Sequence, residues 1–158
     1  MRPARLSAIS DSAPLMTRFF GDDWLLPALD ARNRAWFTSG RLELRACARC
    51  AVVQFPPEDA CRGCGSFELG TRASAGRGVV ESVAVVHHAV HPLLRARVPY
   101  AVVLVALDDA RHVRLLGNVL NRPYGRVAIG DRVRVVFEEV RDPESGEALR
   151  IPQWEVVA

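Results

Sequence analysis

The four cysteines constrain the fold of this chain more than any other feature. They form two Cys-x-x-Cys pairs, Cys47 with Cys50 and Cys61 with Cys64, and ten residues separate the pairs. Each pair wraps a tight turn around one ion, and the intervening loop brings the second turn opposite the first. Four thiolates fill a tetrahedral site and leave no position for substrate or water, so the pattern indicates a structural metal.

The spacing favours zinc, although four thiolates also accept iron. Two disulfides would suit a secreted chain, but no apolar core follows the basic N-terminus as it would in a signal peptide. A redox Cys-x-x-Cys normally comes singly, ahead of a helix in a βαβ unit, which is absent from this sequence pattern. We therefore predict a zinc ribbon, with Gly65 in the positive-φ region after the second pair.

The composition predicts a globular protein of one ordinary domain or two small ones. The chain has 158 residues, is 49% hydrophobic and carries a net charge of +3. All 21 basic residues are arginines, spread along the chain among acidic residues, which we attribute to genomic base composition. No apolar run reaches the ~18 residues of a membrane helix. We expect a cytoplasmic protein with reduced thiols and no membrane association.

The N-terminal half is expected to contain a flexible start, one helix and the metal module. Residues 1–24 lack any period, and we expect them to be flexible. A helix is predicted from about residue 25 to residue 39, because apolar residues recur there at spacings of three and four. Its stripe of Leu29, Trp36 and Phe37 has two open interpretations, packing on the chain's own ribbon or docking a partner. We assign residues 25–75 to this helix and the ribbon.

The remainder, residues 76–158, reads as strands joined by short turns. Five segments alternate or are rich in β-branched residues: 79–90, 98–107, 111–120, 133–137 and 149–157. Five strands in about 80 residues favour a small closed barrel, with the OB-fold as the leading candidate. The predicted class is therefore mainly β, with an N-terminal helix, a zinc ribbon and a C-terminal OB-fold barrel.

No catalytic constellation stands out in this sequence. It contains no nucleophile elbow, phosphate loop or dinucleotide fingerprint, so catalysis by the chain alone is not expected. A cluster of His87, His88 and His91 lacks neighbouring carboxylates, and adjacent residues on a strand point to opposite faces. A second metal site is therefore disfavoured, while a role at a surface or pocket edge and ordinary packing both stay open.

The order of motifs resembles the acyl-CoA-associated proteins in which a rubredoxin-like zinc ribbon precedes an OB-fold. The resemblance covers residues 25–158 and rests on six stretches beside the cysteines: Trp36-Phe37, Leu42 to Cys47, Gln54-Phe55-Pro56-Pro57, Val98-Pro99-Tyr100, Ile129 to Val133, and Ile151-Pro152-Gln153-Trp154. The sequence departs from the family pattern at Ala51, where Gly is expected, and in the His-rich stretch 86–91.

The resemblance implies a small partner subunit of a thiolase-fold enzyme, such as a thiolase, a ketoacyl synthase or an acyl-CoA aldolase. The enzyme would carry the nucleophile, and this chain would stabilise it and help shape its acyl-CoA or acyl-substrate site in a hetero-oligomer. Two alternatives remain: a partner of a hot-dog-fold enoyl-CoA hydratase, and an OB-fold nucleic-acid binder. Low net charge and few aromatic residues in the predicted strands disfavour nucleic acid.

Two segments are the candidate contact surfaces, because exposed apolar patches on small chains usually mark partner sites. One is the helix stripe, and the other is the barrel-mouth segment 87–100, where arginines lie among apolar residues and prolines. Arginine grips carboxylates and phosphates bidentately, which suits an acidic partner or a CoA phosphate. The predicted partner or substrate residues are Trp36, Phe37, His91, Leu94, Arg95, Arg97 and Tyr100.

Overall fold

The computed structural model describes residues 15–21, 24 and 26–157. Over these residues the chain is mainly β, as predicted, with eight strands in two sheets. Most of the N-terminus expected to be flexible, together with Leu25 of the predicted helix, lies outside the described residues. Neither α-helix in the described part is long and apolar enough to cross a membrane.

The predicted helix over residues 25–39 is much shorter in the structure, where helix α1 spans Arg34–Thr38. Upstream, a side-chain oxygen of Asp30 accepts hydrogen bonds from the N–H groups of Arg32 and Asn33 at 2.8 and 3.0 Å. The Asn33 side chain in turn accepts the N–H of Asp30 at 2.8 Å. Such side-chain bonds to the local backbone compete with helical hydrogen bonding, so this stretch forms a turn.

The metal module is built on a three-stranded antiparallel sheet. Its strands are β1 Leu42–Cys47, β2 Val53–Gln54 and β3 Leu69–Ser74, and β1 lies between the other two. Leu42 and Leu44 are at most 1% exposed, because alternate residues of β1 face the core. Leu42 and Leu44 alternate in the sequence with Glu43 and Arg45, so the two-residue period of this stretch matches the buried face of β1.

Five further strands form the barrel: β4 Arg77–Val86, β5 Tyr100–Leu107, β6 Ala110–Asn118, β7 Arg132–Arg141 and β8 Ala148–Val156. Hydrogen bonding gives the order β6-β5-β4-β7-β8. A parallel bridge between Val119 and Trp154 brings the end of β6 against β8 and nearly closes the barrel. This partly open barrel of five strands is the one that the strand count predicted.

The predicted strand over residues 79–90 is too long at its C-terminal end. Strand β4 stops at Val86, and a short helix, α2 Pro92–Arg95, fills part of the connection to β5. Proline favours the first turn of a helix, where its missing N–H costs nothing. The histidines at 87, 88 and 91 therefore lie in a loop, and the strand argument about their facing does not apply to them.

Polar contacts fix the ribbon to the hairpin between β5 and β6. The Asp109 carboxylate accepts hydrogen bonds from the Ser74 hydroxyl and the Ala75 N–H, each at 2.8 Å. On β6, Nε2 of His112 lies 2.6 Å from the carbonyl oxygen of Val53. These contacts join the ribbon and the barrel at two points of one hairpin.

A continuous apolar core extends across the same junction. Its buried members from the N-terminal part are Trp36, Leu42, Leu44 and Val53, and those from the barrel include Val105, Val113 and Trp154. The predicted boundary at residues 75 and 76 falls between β3 and β4. The division into two domains at this boundary stays a prediction.

The junction turn generates a first prediction. Gly76 has φ +66°, and an added Cβ would lie 2.3 Å from Cγ1 of Val135. We expect Gly76→Ala to lower the free energy of unfolding by roughly 2–5 kcal/mol, combining backbone strain with overpacking. Gly130→Ala is the matched control, since Gly130 has φ +93° with no atom within 4 Å. It should cost only about 1–2 kcal/mol. Urea unfolding followed by circular dichroism measures both, and equal losses would contradict the steric argument.

Candidate functional site

Two similar turns present the four cysteines. Cys47 ends β1, and its carbonyl oxygen accepts the N–H of Ala51 at 2.9 Å. In the second turn the carbonyl oxygen of Cys61 accepts the N–H of Gly65 at 2.8 Å. In each turn the hydrogen bond joins residues four positions apart in the chain. Both sulfur atoms of a pair therefore face the same point, where the other pair also lies.

Both turns end in the left-handed region of backbone conformation. Gly65 has φ +71°, which confirms the sequence prediction, and Ala51 has φ +60° at the corresponding position of the first turn. Ala51 is the one non-glycine residue with positive φ in the described part of the chain. An L-residue there costs roughly 1–2 kcal/mol, so the first turn is strained where glycine would relax it.

The structure brings the four predicted ligands together. The sulfur atoms of Cys47 and Cys64 lie 3.7 Å apart, those of Cys50 and Cys61 lie 3.5 Å apart, and all four lie within 4.8 Å of one another. A tetrahedron with metal–sulfur bonds of about 2.3 Å has sulfur–sulfur separations of about 3.8 Å. The four thiolates therefore fit one tetrahedral metal ion, and they would hold it as a saturated structural centre.

Backbone N–H groups and neighbouring sulfur atoms shift the pKa values of two thiols in opposite directions. The N–H groups of Cys50 and Arg49 lower the pKa of the Cys47 thiol to about 7. The pKa of Cys50 is lowered by the N–H of Val52, but hydrogen bonding with Cys61 and partial desolvation outweigh it and raise the value to about 12. Adjacent thiolates repel one another, and a bound cation removes that penalty.

Gln54 supports the second turn, a role that the sequence analysis missed. Its side chain is fully buried, donates to the carbonyl oxygen of Ala60 at 3.0 Å and accepts the N–H of Arg62 at 3.0 Å. These bonds tie the backbone on both sides of Cys61 to strand β2. The available signal was a lone glutamine at the end of a short apolar strand between the two cysteine pairs.

Of the predicted stripe, Trp36 and Phe37 lie on α1, while the half-buried Leu29 lies in the irregular segment before it. Trp36 is 9% exposed, and its ring centroid lies 4.6 Å from that of Phe55 in the ribbon. Phe37 is half-buried, and both residues line a groove of about 570 Å³ between ribbon and barrel. Leu116, with 70% of its surface exposed, lies on the barrel side of this groove. Packing thus accounts for Trp36, and Phe37 is the more exposed residue of the pair at the groove.

The segment 87–100 is partly exposed. His91 precedes α2 and is exposed, while Val90 beside it has 81% of its surface exposed. Arg95 donates to the carbonyl oxygen of Val90 at 3.3 Å, and Leu94 packs against a small aromatic cluster under the N-terminal segment. The described residues include no group of histidines and carboxylates with metal-binding geometry at this segment.

That aromatic cluster holds Arg97 and Tyr100. Tyr100 is 6% exposed, and its ring lies 4.9 Å from the ring of Phe19. The guanidinium carbon of Arg97 lies 5.7 Å from the ring centroid of Phe19 and 5.9 Å from that of Trp24. Tyr100 is therefore part of a buried cluster, while Arg97 is held at its edge by cation–π contact.

The docking of the N-terminal segment was not foreseen from sequence. Phe19 is buried, and its N–H and that of Phe20 point at one oxygen of the buried Glu138 carboxylate. The other oxygen of Glu138 accepts the side-chain N–H of Gln153 at 3.1 Å. The contact joins residues 119 positions apart, so no local pattern announces it.

Comparisons with known proteins agree on one family. Residues 38–70 match the family model of the ChsH2 rubredoxin-like zinc ribbon domain, and residues 71–138 match that of the ChsH2 C-terminal OB-fold domain. Among solved structures, a chain of "Ltp2-ChsH2(DUF35) aldolase" is similar, with a TM-score of 0.70 and 34% identity. The match covers 84% of this chain and 100% of that chain.

Two curated proteins are also similar. One is the "Probable enoyl-CoA hydratase alpha subunit" of Thermomonospora curvata, 36% identical over 121 residues, which are 75% of this chain and 36% of that protein. The other is the "3-oxo-4,17-pregnadiene-20-carboxyl-CoA hydratase alpha subunit" of Mycobacterium tuberculosis, 33% identical over 125 residues, 76% of this chain and 38% of that protein. The chain thus spans little more than a third of the length of these relatives.

The strained first turn generates a second prediction. We expect Ala51→Gly to raise the free energy of unfolding by about 0.5–1 kcal/mol, because relief at positive φ exceeds the added entropy of the unfolded chain. Ala48→Gly in the same turn is the matched control. Ala48 has no positive φ, so its replacement should be destabilising. Thermal unfolding of the metal-loaded proteins measures both, and stabilisation by Ala48→Gly as well would rule out strain at residue 51 as the cause.

Proposed function

We propose that this chain, which belongs to the ChsH2 family of zinc-ribbon and OB-fold proteins, is a non-catalytic accessory subunit of a thiolase-fold enzyme. It would bind that enzyme in a hetero-oligomer and help shape the site for an acyl-CoA substrate. The observation that carries this proposal is the match, over the whole of the matched chain, to a solved structure titled as an aldolase. The saturated four-thiolate centre supports it, because a metal held there has no open position for substrate.

The alternative partner is a hot-dog-fold enoyl-CoA hydratase. The names of the two curated relatives favour it, since both are alpha subunits of CoA-ester hydratases. This chain covers only 36% and 38% of those proteins, so the activity named there need not lie in the shared part. The two candidates differ in the fold of the partner, which makes them separable by experiment.

For the contact surface we propose the exposed part of segment 87–100, together with Phe37 at the groove. Val90 has 81% of its surface exposed, and the neighbouring His91 is exposed as well. Together they present one apolar and one polar side chain next to α2. Arg95 lies on the same exposed helix. An apolar side chain this exposed gains about 1.5–3 kcal/mol when a partner buries it fully.

For the metal we propose zinc in a structural role and a reducing, cytoplasmic setting that keeps the thiols free to bind it. Protein purified without chelator should contain about one zinc per chain by elemental analysis. Cys61→Ser should lose the metal and unfold the ribbon before the barrel, because the barrel strands have their own buried residues. Ala60→Ser is the matched control and should keep the metal. Iron in place of zinc, or an unaltered metal content in Cys61→Ser, would refute this proposal.

The partner proposal is tested by purifying the tagged chain from its native host and identifying the protein that co-elutes in stoichiometric amount. A thiolase-fold enzyme supports the main proposal, and a hot-dog-fold hydratase supports the alternative. A nucleic acid, or the chain eluting alone, counts against both. The purified partner then serves for affinity measurements.

The contact surface is tested with that partner and two matched substitutions. Val90→Glu should weaken binding by at least tenfold, the range expected when a contact residue with a cost above about 1.4 kcal/mol is lost. Phe67→Glu is the control, because Phe67 is 80% exposed on the ribbon, outside the proposed surface. Both substitutions place a charge at an exposed position and should leave the metal bound. Loss of binding in Phe67→Glu alone would move the surface to the ribbon.

A further inference from the structure

A second cavity, of about 620 Å³, lies between the N-terminal segment and one end of the barrel. Met16, Val98 and Val119 give it apolar walls, and Arg97, Arg122 and Tyr124 line it as well. None of the described residues that line it is acidic. Cavities of this size suit a small molecule, and the charge of this one favours an anion.

Arg97 is positioned with its donors available. The guanidinium carbon lies 5.7 Å from the ring centroid of Phe19 and 5.9 Å from that of Trp24, and this cation–π contact holds the group in place. Cation–π contact does not require the N–H donors as an ion pair does, so the five donors of the guanidinium group can bind a ligand. In the described part of the chain no carboxylate forms an ion pair with Arg97. The rings thus orient a cation without neutralising it.

Arg122 is oriented from the opposite direction. One of its terminal nitrogens lies 3.1 Å from the Asp131 carboxylate, and that carboxylate also accepts the N–H of Ala128 at 2.9 Å. Asp131 is therefore fixed by the backbone and holds Arg122 at one donor. The guanidinium group has five N–H donors, so several remain for a ligand. Arg18 also lines the cavity, and its guanidinium group donates to the carbonyl oxygen of Glu139 at 3.4 Å.

We propose that this cavity binds the diphosphate group of a small organic molecule. Two separately oriented guanidinium groups match two linked phosphates, because each fork forms parallel hydrogen bonds to one phosphate. Tyr124, which also lines the cavity, carries a hydroxyl group that can donate a further hydrogen bond, and the apolar wall packs against the organic body. Binding of the diphosphate rests on these residues alone. Under the proposed function its source is a CoA ester, and the alternative source is a free nucleoside diphosphate.

The experiment measures binding of inorganic pyrophosphate, ADP and CoA to the metal-loaded full chain by titration calorimetry at low salt. We expect saturable binding of pyrophosphate that weakens by about tenfold or more in Arg97→Gln and in Arg122→Gln, as for lost charge-assisted hydrogen bonds. Arg97→Lys keeps the charge over the aromatic rings but loses the fork, so it should bind with intermediate affinity. Arg111→Gln is the matched control, because Arg111 is an exposed arginine on β6 that does not line the cavity.

The results distinguish binding at the two cavity arginines from nonspecific binding to positive charge elsewhere on the protein. Unchanged binding in Arg111→Gln, with losses at both cavity arginines and unaltered urea unfolding of Arg97→Lys, supports the proposal. Tighter binding of CoA than of ADP assigns the diphosphate to a thioester cofactor, and the reverse assigns it to a nucleotide. No saturable pyrophosphate binding, an equal loss in Arg111→Gln, or displacement of pyrophosphate by a short oligothymidine overturns the proposal. Partner co-elution is measured independently, so failure of this site leaves the proposed partnership standing.

Discussion

The approach of four sulfur atoms to within 4.8 Å is the constraint on which the N-terminal half of the structure depends. Four thiolates at this distance repel one another unless a cation lies among them. A structural metal in such a module supplies on the order of 10–16 kcal/mol of apparent binding energy. Beside the cysteines, the buried apolar residues of the ribbon strands are Leu42, Leu44 and Val53 in the described part of the chain. A bound metal would therefore add much to the stability of so short a sheet.

The ribbon in turn contributes apolar side chains to the core of the barrel. Leu42 and Leu44 of β1 belong to the same apolar core as Val105 and Trp154. The Asp109 carboxylate and the His112 ring add polar contacts at the rim of that core. The metal centre therefore acts on the barrel only indirectly, by holding the sheet that covers one of its surfaces.

The N-terminal segment around Phe19 plays a comparable role at the other end. It is anchored by the buried Glu138 carboxylate and by aromatic contacts with Tyr100 and Trp24. Residues of this segment border both the apolar groove and the arginine-lined cavity, through Phe20 and Met16 respectively. One short stretch thus shapes an apolar surface suited to a protein and a charged cavity suited to a small anion. The groove has mainly apolar walls and the cavity is lined by arginines, so we propose a protein for the first and an anion for the second.

Local patterns in the sequence were sufficient to predict that the four cysteines come together, that Gly65 has positive φ, and that a ribbon is followed by five barrel strands. Cysteine spacing and two-residue alternation act over a few residues, so they can be read without a structure. The helix over residues 25–39 was wrong over most of its length because Asp30 and Asn33 bond to their own backbone. Only the tertiary structure decided that Trp36 and Tyr100 are buried and that Arg97 and Arg122 share a cavity. Those facts depend on barrel closure and on contacts between distant residues, which local periodicity does not encode.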